Sequence, residues 1–159
     1  MASLIFLLVD DEIEFIETLG ERLRQRDYDV RIAHSGTGAL QAIEADHAID
    51  VVIMDLGMPA PDGLRTLRQI KKDHPLIEVI MLTGKNTIVA AVESLKAGAY
   101  DFLTKPCEID ELVVKAEEAA TRKREREAAI LEIRMIPYIS DQKRAELIAG
   151  VMRIHHRDE

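Results

Sequence analysis

Five polar residues stand just past the ends of short, largely apolar segments of this sequence: Asp10, Asp11, Asp55, Thr83 and Lys105. Carboxylates that crowd together repel one another, because two unit charges about 4 Å apart cost about 4 kcal/mol at an effective dielectric constant near 20. Either a cation offsets this charge or some of the carboxylates take up protons. Oxygen ligands favour a hard metal ion, Mg²⁺ before Ca²⁺.

The lysine and the threonine add groups that can hold phosphoryl oxygens. Lys105 supplies a compact positive charge, and Thr83 supplies a hydroxyl donor. Together with the carboxylates they indicate a phosphoryl-transfer site whose nucleophile is a carboxylate. Any single aspartate is explained more simply as a helix cap or a solvated loop residue, but that explanation is poor for all five residues at once.

Three apolar runs predict strands that position these residues: Leu4–Val9, Val51–Met54 and Ile77–Leu82. Two shorter segments, Val30–Ala33 and Tyr100–Leu103, are further strand candidates. The three longest lack polar alternation, which is typical of strands buried on both faces of a parallel sheet. Helical patterns alternate with them and predict a doubly wound α/β domain with right-handed crossovers. Ligands bind beyond the carboxyl ends of such strands, so the five polar residues should converge at one edge of the sheet.

Apolar residues at helical spacing predict which helix faces meet the sheet. Ile13 begins the stripe of the first helix, whereas Ile88, Val92 and Leu95 form the stripe of the fourth. Asn86 is the predicted N-cap of that fourth helix.

Separated motifs in this order resemble the receiver domain of two-component response regulators. They are Asp10-Asp11, Asp55-Leu-Gly-Met-Pro59, Asp62-Gly63, Thr83-Gly84 and Lys105-Pro106. The stretch from Gly98 to Pro106 is similar to receivers of the nitrogen-regulatory type. The resemblance covers about residues 4–120 and implies a flavodoxin-like receiver domain over residues 1–120. It also implies a phosphorylation-controlled response regulator of a two-component system.

The resemblance implies a role for each matched residue. Asp55 would accept a phosphoryl group from a sensor histidine kinase or phosphotransfer protein, and Lys105 would pair with Asp55 and then with that group. Asp10, Asp11, Asp55 and the backbone carbonyl of Gly57 would hold Mg²⁺. The chain would assist its own Mg²⁺-dependent phosphotransfer and dephosphorylation without being an enzyme for a separate substrate.

The resemblance further implies a switch that downstream protein partners detect. Thr83 would turn toward the phosphoryl group and Phe102 would move inward with it, although core packing also explains an aromatic residue on a strand. Partners would recognise the surface of residues 86–118. The Lys105-Pro106 peptide bond is expected to be cis, which is accessible only before proline.

Two positions depart from the family pattern or bear on a rival family. Cys107 stands where many receivers carry phenylalanine, and we interpret it as a buried, unreactive thiol. Haloacid-dehalogenase-like phosphatases also place a nucleophilic aspartate after a parallel strand, but they need a second carboxylate two residues later. Gly57 occupies that position here.

Residues 121–159 predict a helical extension. The polar stretch Thr121–Glu127 predicts a solvated continuation of the last receiver helix, and Pro137 breaks the helix. A short amphipathic helix over about 140–155 follows, with Ser140 as its N-cap. Two short helices bury little surface alone. Their apolar faces therefore suggest a homodimer or a docking site for another protein.

The net charge of −8 argues against binding of nucleic acid by charge alone. It combines −10 over residues 1–120 with +2 over residues 121–159. A DNA-binding transcriptional regulator that lacks its output domain, or is truncated before it, remains the alternative function. The single cysteine excludes an internal disulfide, and no apolar run approaches the length of a membrane span. We expect a cytoplasmic protein.

Overall fold

The computed structural model describes residues 4–59, 62–84 and 88–154. In chain order its elements are β1 (Ile5–Val9), α1 (Ile13–Arg24), β2 (Asp29–Ala33), α2 (Gly36–Ala45), β3 (Val51–Asp55), α3 (Gly63–Asp73), β4 (Glu78–Thr83), α4 (Ile88–Lys96), β5 (Asp101–Thr104), α5 (Ile109–Arg134) and α6 (Asp141–Ile154). The chain divides into two compact units, Met1–Ala120 and Thr121–Glu159. None of the described helices is long and apolar enough to cross a membrane.

The first unit is built on a five-stranded sheet in the order β2-β1-β3-β4-β5. All neighbouring strands are parallel, which confirms the predicted doubly wound α/β fold. Val9 pairs with Met54, and Asp55 pairs with Leu82, so neighbouring strands end at nearly the same level. The strand order reverses between β1 and β3, the position at which such sheets place their ligand sites.

Two apolar cores cover the two faces of this sheet. Phe6 and Leu8 of β1 join the core that contains α1 and α5, whereas Leu7 and Val9 join the core that contains α2 and α3. Successive side chains of a strand point to opposite faces. The continuous apolar run in β1 therefore supplies both cores at once.

The structure corrects the predicted apolar faces of two helices. Ile13 of α1 is 58% exposed, and in α4 the predicted stripe leaves Ile88 76% and Val92 42% exposed. The residues that α4 buries are the small ones, Ala91 and Ser94. Ser94 satisfies its hydroxyl on the carbonyl of the preceding turn, so it can be buried without an unpaired polar group. Predicted N-cap Asn86 lies outside the described residues.

The second unit contains the end of α5 and the whole of α6. Arg126 Nη2 donates to the Met152 carbonyl at 3.2 Å, and Arg144 Nη1 donates to the Ile133 carbonyl at 2.7 Å. In these contacts, later residues of α5 pair with earlier residues of α6, so the two helices run antiparallel and form a helical hairpin. The C-terminal helical extension that the sequence predicts is therefore present.

The hairpin corrects the prediction of a solvated stretch over Thr121–Glu127. Lys123 and Arg126 are 6% and 2% exposed. Burial of a charge is costly unless an opposite charge lies close to it. Lys123 has such a partner, since its Nζ lies 2.7 Å from a Glu127 carboxylate oxygen. As predicted, Ser140 caps α6, since its hydroxyl accepts the Lys143 N–H at 3.0 Å.

Candidate functional site

Three aspartates meet at the carboxyl edge of the sheet. Asp10 and Asp11 are the first two residues after β1, and Asp55 is the last residue of β3. One carboxylate oxygen of each lies within 4.8 Å of the others. Asp10 is fully buried and Asp55 nearly so, whereas Asp11 is exposed. The site thus has two carboxylates inside the fold and one at its rim.

Lys105 reaches this cluster from the loop after β5. Its N–H donates to the Thr83 carbonyl at 2.7 Å, and the following bond to Pro106 is cis, as predicted. Lys105 Nζ lies 2.6 Å from Asp10 Oδ2 and 3.5 Å from Asp55 Oδ1. The resemblance implied a pair with Asp55, but the shorter contact is with Asp10.

Burial and neighbouring charges shift the pKa values of Asp55 and Lys105, the two groups that would take part in phosphoryl transfer. Burial raises the pKa of Asp55, and the Asp10 charge adds to this effect, while the Gly57 N–H and Lys105 oppose it. Burial alone would lower the pKa of Lys105, but its hydrogen bond to Asp10 and the charge of Asp55 outweigh burial and raise that pKa. The ammonium therefore stays charged beside the carboxylates at neutral pH.

The two predicted switch residues lie on neighbouring strands. Thr83 ends β4, is 4% exposed, and pairs in register with Thr104 of β5. Phe102 lies two residues earlier on β5, is half-buried, and packs against the core on the face of α2 and α3. The structure therefore gives the Phe102 ring a packing role in the described state.

Two residues at the start of α1 extend the site beyond the sequence prediction. The Glu12 carboxylate lies 3.4 Å from Lys105 Nζ, and the Phe15 ring centroid lies 4.6 Å from the same atom. Their position just after Asp10 and Asp11 is the sequence signal that could have identified them. Their contact with Lys105 depends on where the loop after β5 folds.

Cys107 is a half-buried free thiol that packs against the core beneath α1 and α5. Burial raises the pKa of this thiol, which disfavours the reactive thiolate. The structure therefore agrees with an unreactive cysteine, although its burial is only partial.

The chemistry of the acidic cluster fits a magnesium ion. Asp10, Asp11 and Asp55 offer only oxygen ligands, which suit hard divalent cations. Gly57 follows in the same loop, and its N–H donates to Asp55 Oδ1 at 3.2 Å. This bond orients the Asp55 carboxylate and places the Gly57 backbone next to the acidic cluster.

A family model of the response regulator receiver domain matches residues 6–117. The chain belongs to this family. The chain thus contains a phosphorylation-controlled receiver domain of a two-component system. Receivers in general bind Mg²⁺ at an acidic pocket of this kind.

Relatives place this receiver near the nitrogen-regulatory type, as the sequence motifs indicated. The transcriptional regulatory protein ZraR of Klebsiella oxytoca is 36% identical over 126 residues, which cover 79% of this chain and 28% of the relative. A putative NtrX-like response regulator of Rickettsia typhi is 33% identical over 153 residues, covering 94% of this chain and 31% of the relative. The chain thus spans less than a third of the length of either relative.

Solved structures agree with the assignment. The receiver domain of NtrX from Brucella abortus superposes with a TM-score of 0.68 at 36% identity, covering 73% of this chain and 98% of that one. The family match favours a receiver over a haloacid-dehalogenase-like phosphatase, for which Gly57 lacks the required carboxylate.

Proposed function

We propose that Asp55 is the phosphoacceptor of this receiver and that the chain catalyses no reaction on a separate substrate. The supporting observation is the nearly buried Asp55 carboxylate, which lies 3.5 Å from the Lys105 ammonium and beside Asp10 and Asp11. An Asp55 oxygen attacks the donor phosphorus, and the donor's leaving group departs with the electrons of the bond that breaks. Lys105 then balances the negative charge of the transferred phosphoryl group.

We also propose that Asp10, Asp11, Asp55 and the Gly57 carbonyl hold Mg²⁺. When bound, the ion offsets the crowded carboxylate charge and the phosphoryl oxygens. Within the chain, the Thr83 hydroxyl provides a further donor at the edge of the sheet. Lys105 keeps its charge in the absence of the ion because Asp10 lies 2.6 Å away.

Incubation with acetyl phosphate, with and without Mg²⁺, tests both proposals by intact-protein mass spectrometry. Wild type should gain one phosphoryl group only with Mg²⁺, and Asp55→Asn should gain none. Asp62→Asn is the matched control because Asp62 is an exposed N-cap whose side chain accepts the Arg65 N–H, and asparagine preserves that cap. It should be phosphorylated like wild type.

Equal phosphorylation of Asp55→Asn would refute the assignment of the phosphoacceptor, and full phosphorylation without Mg²⁺ would refute the metal proposal. Repeated release of phosphate from an added phosphate ester would refute the proposal that the chain has no separate substrate. Mass spectrometry detects the first two outcomes and a phosphate-release assay detects the third, so the three are distinguishable.

We propose that phosphorylation alters the partner surface of residues 86–118 through Thr83 and Phe102. Ile88, Val89 and Val92 of α4 supply exposed apolar side chains there. Hydrogen exchange of peptides from this surface should change when wild type is phosphorylated. The same peptides should stay unchanged in Asp55→Asn, and a change there would contradict the proposed coupling.

We propose that the second unit associates with a second copy through the end of α5. Leu131 of α5 is 60% exposed, and Met135, the residue directly after α5, is 75% exposed. The Met135 N–H donates to the Leu131 carbonyl at 3.2 Å, so the two residues lie one turn apart on the same side. Sedimentation should show a dimer for wild type and a monomer for Leu131→Glu/Met135→Glu. Ile13→Glu removes an exposed apolar residue of α1 and should leave the dimer intact. A monomeric wild type at high concentration would refute the proposal.

We propose protein contacts rather than DNA as the output of the second unit, in a cytoplasmic protein. Two cations of the slightly basic stretch, Lys123 and Arg126, are buried and are not presented to a phosphate backbone. Salt-dependent gel shifts of duplex DNA by the chain would overturn this proposal and favour a DNA-binding regulator.

A further inference from the structure

The ammonium of Lys105 lies over an aromatic ring as well as beside carboxylates. Lys105 Nζ is 4.6 Å from the centroid of the Phe15 ring, within the distance at which a ring face attracts a cation. Phe15 lies in the first turn of α1, five residues after Asp10. The same side chain therefore links α1 to the loop that carries Lys105.

Three carboxylates lie at unequal distances from the Lys105 ammonium. Asp10 lies 2.6 Å away, whereas Glu12 and Asp55 lie 3.4 Å and 3.5 Å away. A carboxylate that holds the ammonium competes with a phosphoryl group for it. A neutral ring attracts the ammonium without adding a competing negative charge.

The Phe15 ring is anchored on one side and open on the other. It is half-buried and packs against the core that contains α1 and α5. It also lines an apolar groove with Leu19, Pro106 and Cys107. The anchored ring can therefore fix the position of Lys105, and the groove leaves room for a modest change at the ring edge.

We propose that Phe15 is a positioning residue for Lys105. The Phe15 ring keeps the Lys105 ammonium near Asp55 when its contact with Asp10 is lost. The ammonium can then contact the phosphoryl group that Asp55 accepts. This inference rests on the proposed roles of Asp55 and Lys105. Phe15 contacts no reacting atom in the described structure and acts only through the lysine.

Two variants at the same position test the proposal by the initial rate of phosphorylation by acetyl phosphate at saturating Mg²⁺. Phe15→Leu keeps an apolar side chain but removes the ring, and it should slow the reaction about two- to fivefold, the range expected of a partly exposed cation–π contact. Phe15→Tyr keeps the ring and should restore the wild-type rate. Equal rates for Phe15→Leu and wild type, or an equal loss in both variants, would overturn the proposal.

Nuclear magnetic resonance gives a readout that does not depend on phosphorylation. The ε-methylene protons of Lys105 should show a ring-current shift in wild type and Phe15→Tyr, and this shift should be lost in Phe15→Leu. The signals of Lys71, which donates to the Pro75 and Ile77 carbonyls, should stay in place in both variants. An unshifted Lys105 in wild type would refute the inference, whereas a wild type that shows the shift but is not phosphorylated on Asp55 would refute the proposed function.

Discussion

Replacement of Gly63 by alanine should disturb the phosphoacceptor strand through a direct backbone clash. Gly63 is the first residue of α3 and is buried against the end of β3. A β-carbon there would lie 2.5 Å from the Asp55 carbonyl oxygen and 2.9 Å from the Leu56 α-carbon. It would also lie 3.2 Å from the Met81 terminal methyl, which can move, whereas the two backbone atoms cannot move without shifting the end of the strand.

The size of the effect follows from two opposing contributions. Overpacking of a well-packed interior costs about 1–3 kcal/mol, and alanine in a helix is favoured over glycine by about 0.5–1 kcal/mol. Because the clash at Gly63 involves backbone atoms, we expect a cost in the upper part of the overpacking range. The free energy of unfolding should therefore decrease by about 2 kcal/mol in total. For a domain of this size, that loss corresponds to a decrease in Tm of about 4–8 °C.

Urea unfolding and thermal denaturation of Gly63→Ala and Gly84→Ala measure this loss against a control. A β-carbon at Gly84 would meet no atom within 4 Å, so Gly84→Ala should retain the wild-type free energy of unfolding. Gly63→Ala should also accept phosphoryl groups more slowly, because Asp55 shifts with its carbonyl. Indistinguishable stabilities for the two variants would show that β3 and α3 can separate freely, which would refute the argument.

Three further predictions concern pH and helix capping. Because burial and the Asp10 charge raise the pKa of Asp55, ionised Asp55 destabilises the fold when no metal ion is bound. In metal-free buffer Asp55→Asn should therefore raise Tm at pH 7, and the gain should vanish below about pH 4, where the carboxyl is protonated in both the folded and the unfolded state. Burial and the hydrogen bond to Glu117 raise the pKa of Tyr28 to about 12, so the free energy of unfolding should fall as pH rises from about 10 through 12. Absorbance titrations of wild type and Tyr28→Phe would identify the titration of Tyr28, and a Tyr28 pKa near 10 would contradict the prediction. Ser140→Ala should weaken α6 by about 1 kcal/mol, seen as faster amide exchange in that helix, and unchanged exchange would show that the cap is dispensable.

Sequence patterns were sufficient for the strands but not for every helix face. The uninterrupted run before Asp10 predicted a strand buried on both faces because only a doubly covered sheet needs apolar residues at every position. In α4 the same reasoning failed, since Ala91 and Ser94 are buried while Ile88 is exposed. Small residues allow close packing against the sheet, and hydropathy gives them little weight.

The sequence by itself determined the type of site at the carboxyl edge of the sheet. Asp10, Asp11 and Asp55 follow strands whose parallel pairing brings their ends together, so their convergence depends on local patterns and a general property of the fold. Only the tertiary structure decided which group holds Lys105, because Asp10 and Phe15 approach it across 95 and 90 positions of sequence. It also decided that Arg126 is buried, where its Nη2 donates to the Met152 carbonyl of another helix. Such contacts depend on how distant elements dock, which no local pattern of residues encodes.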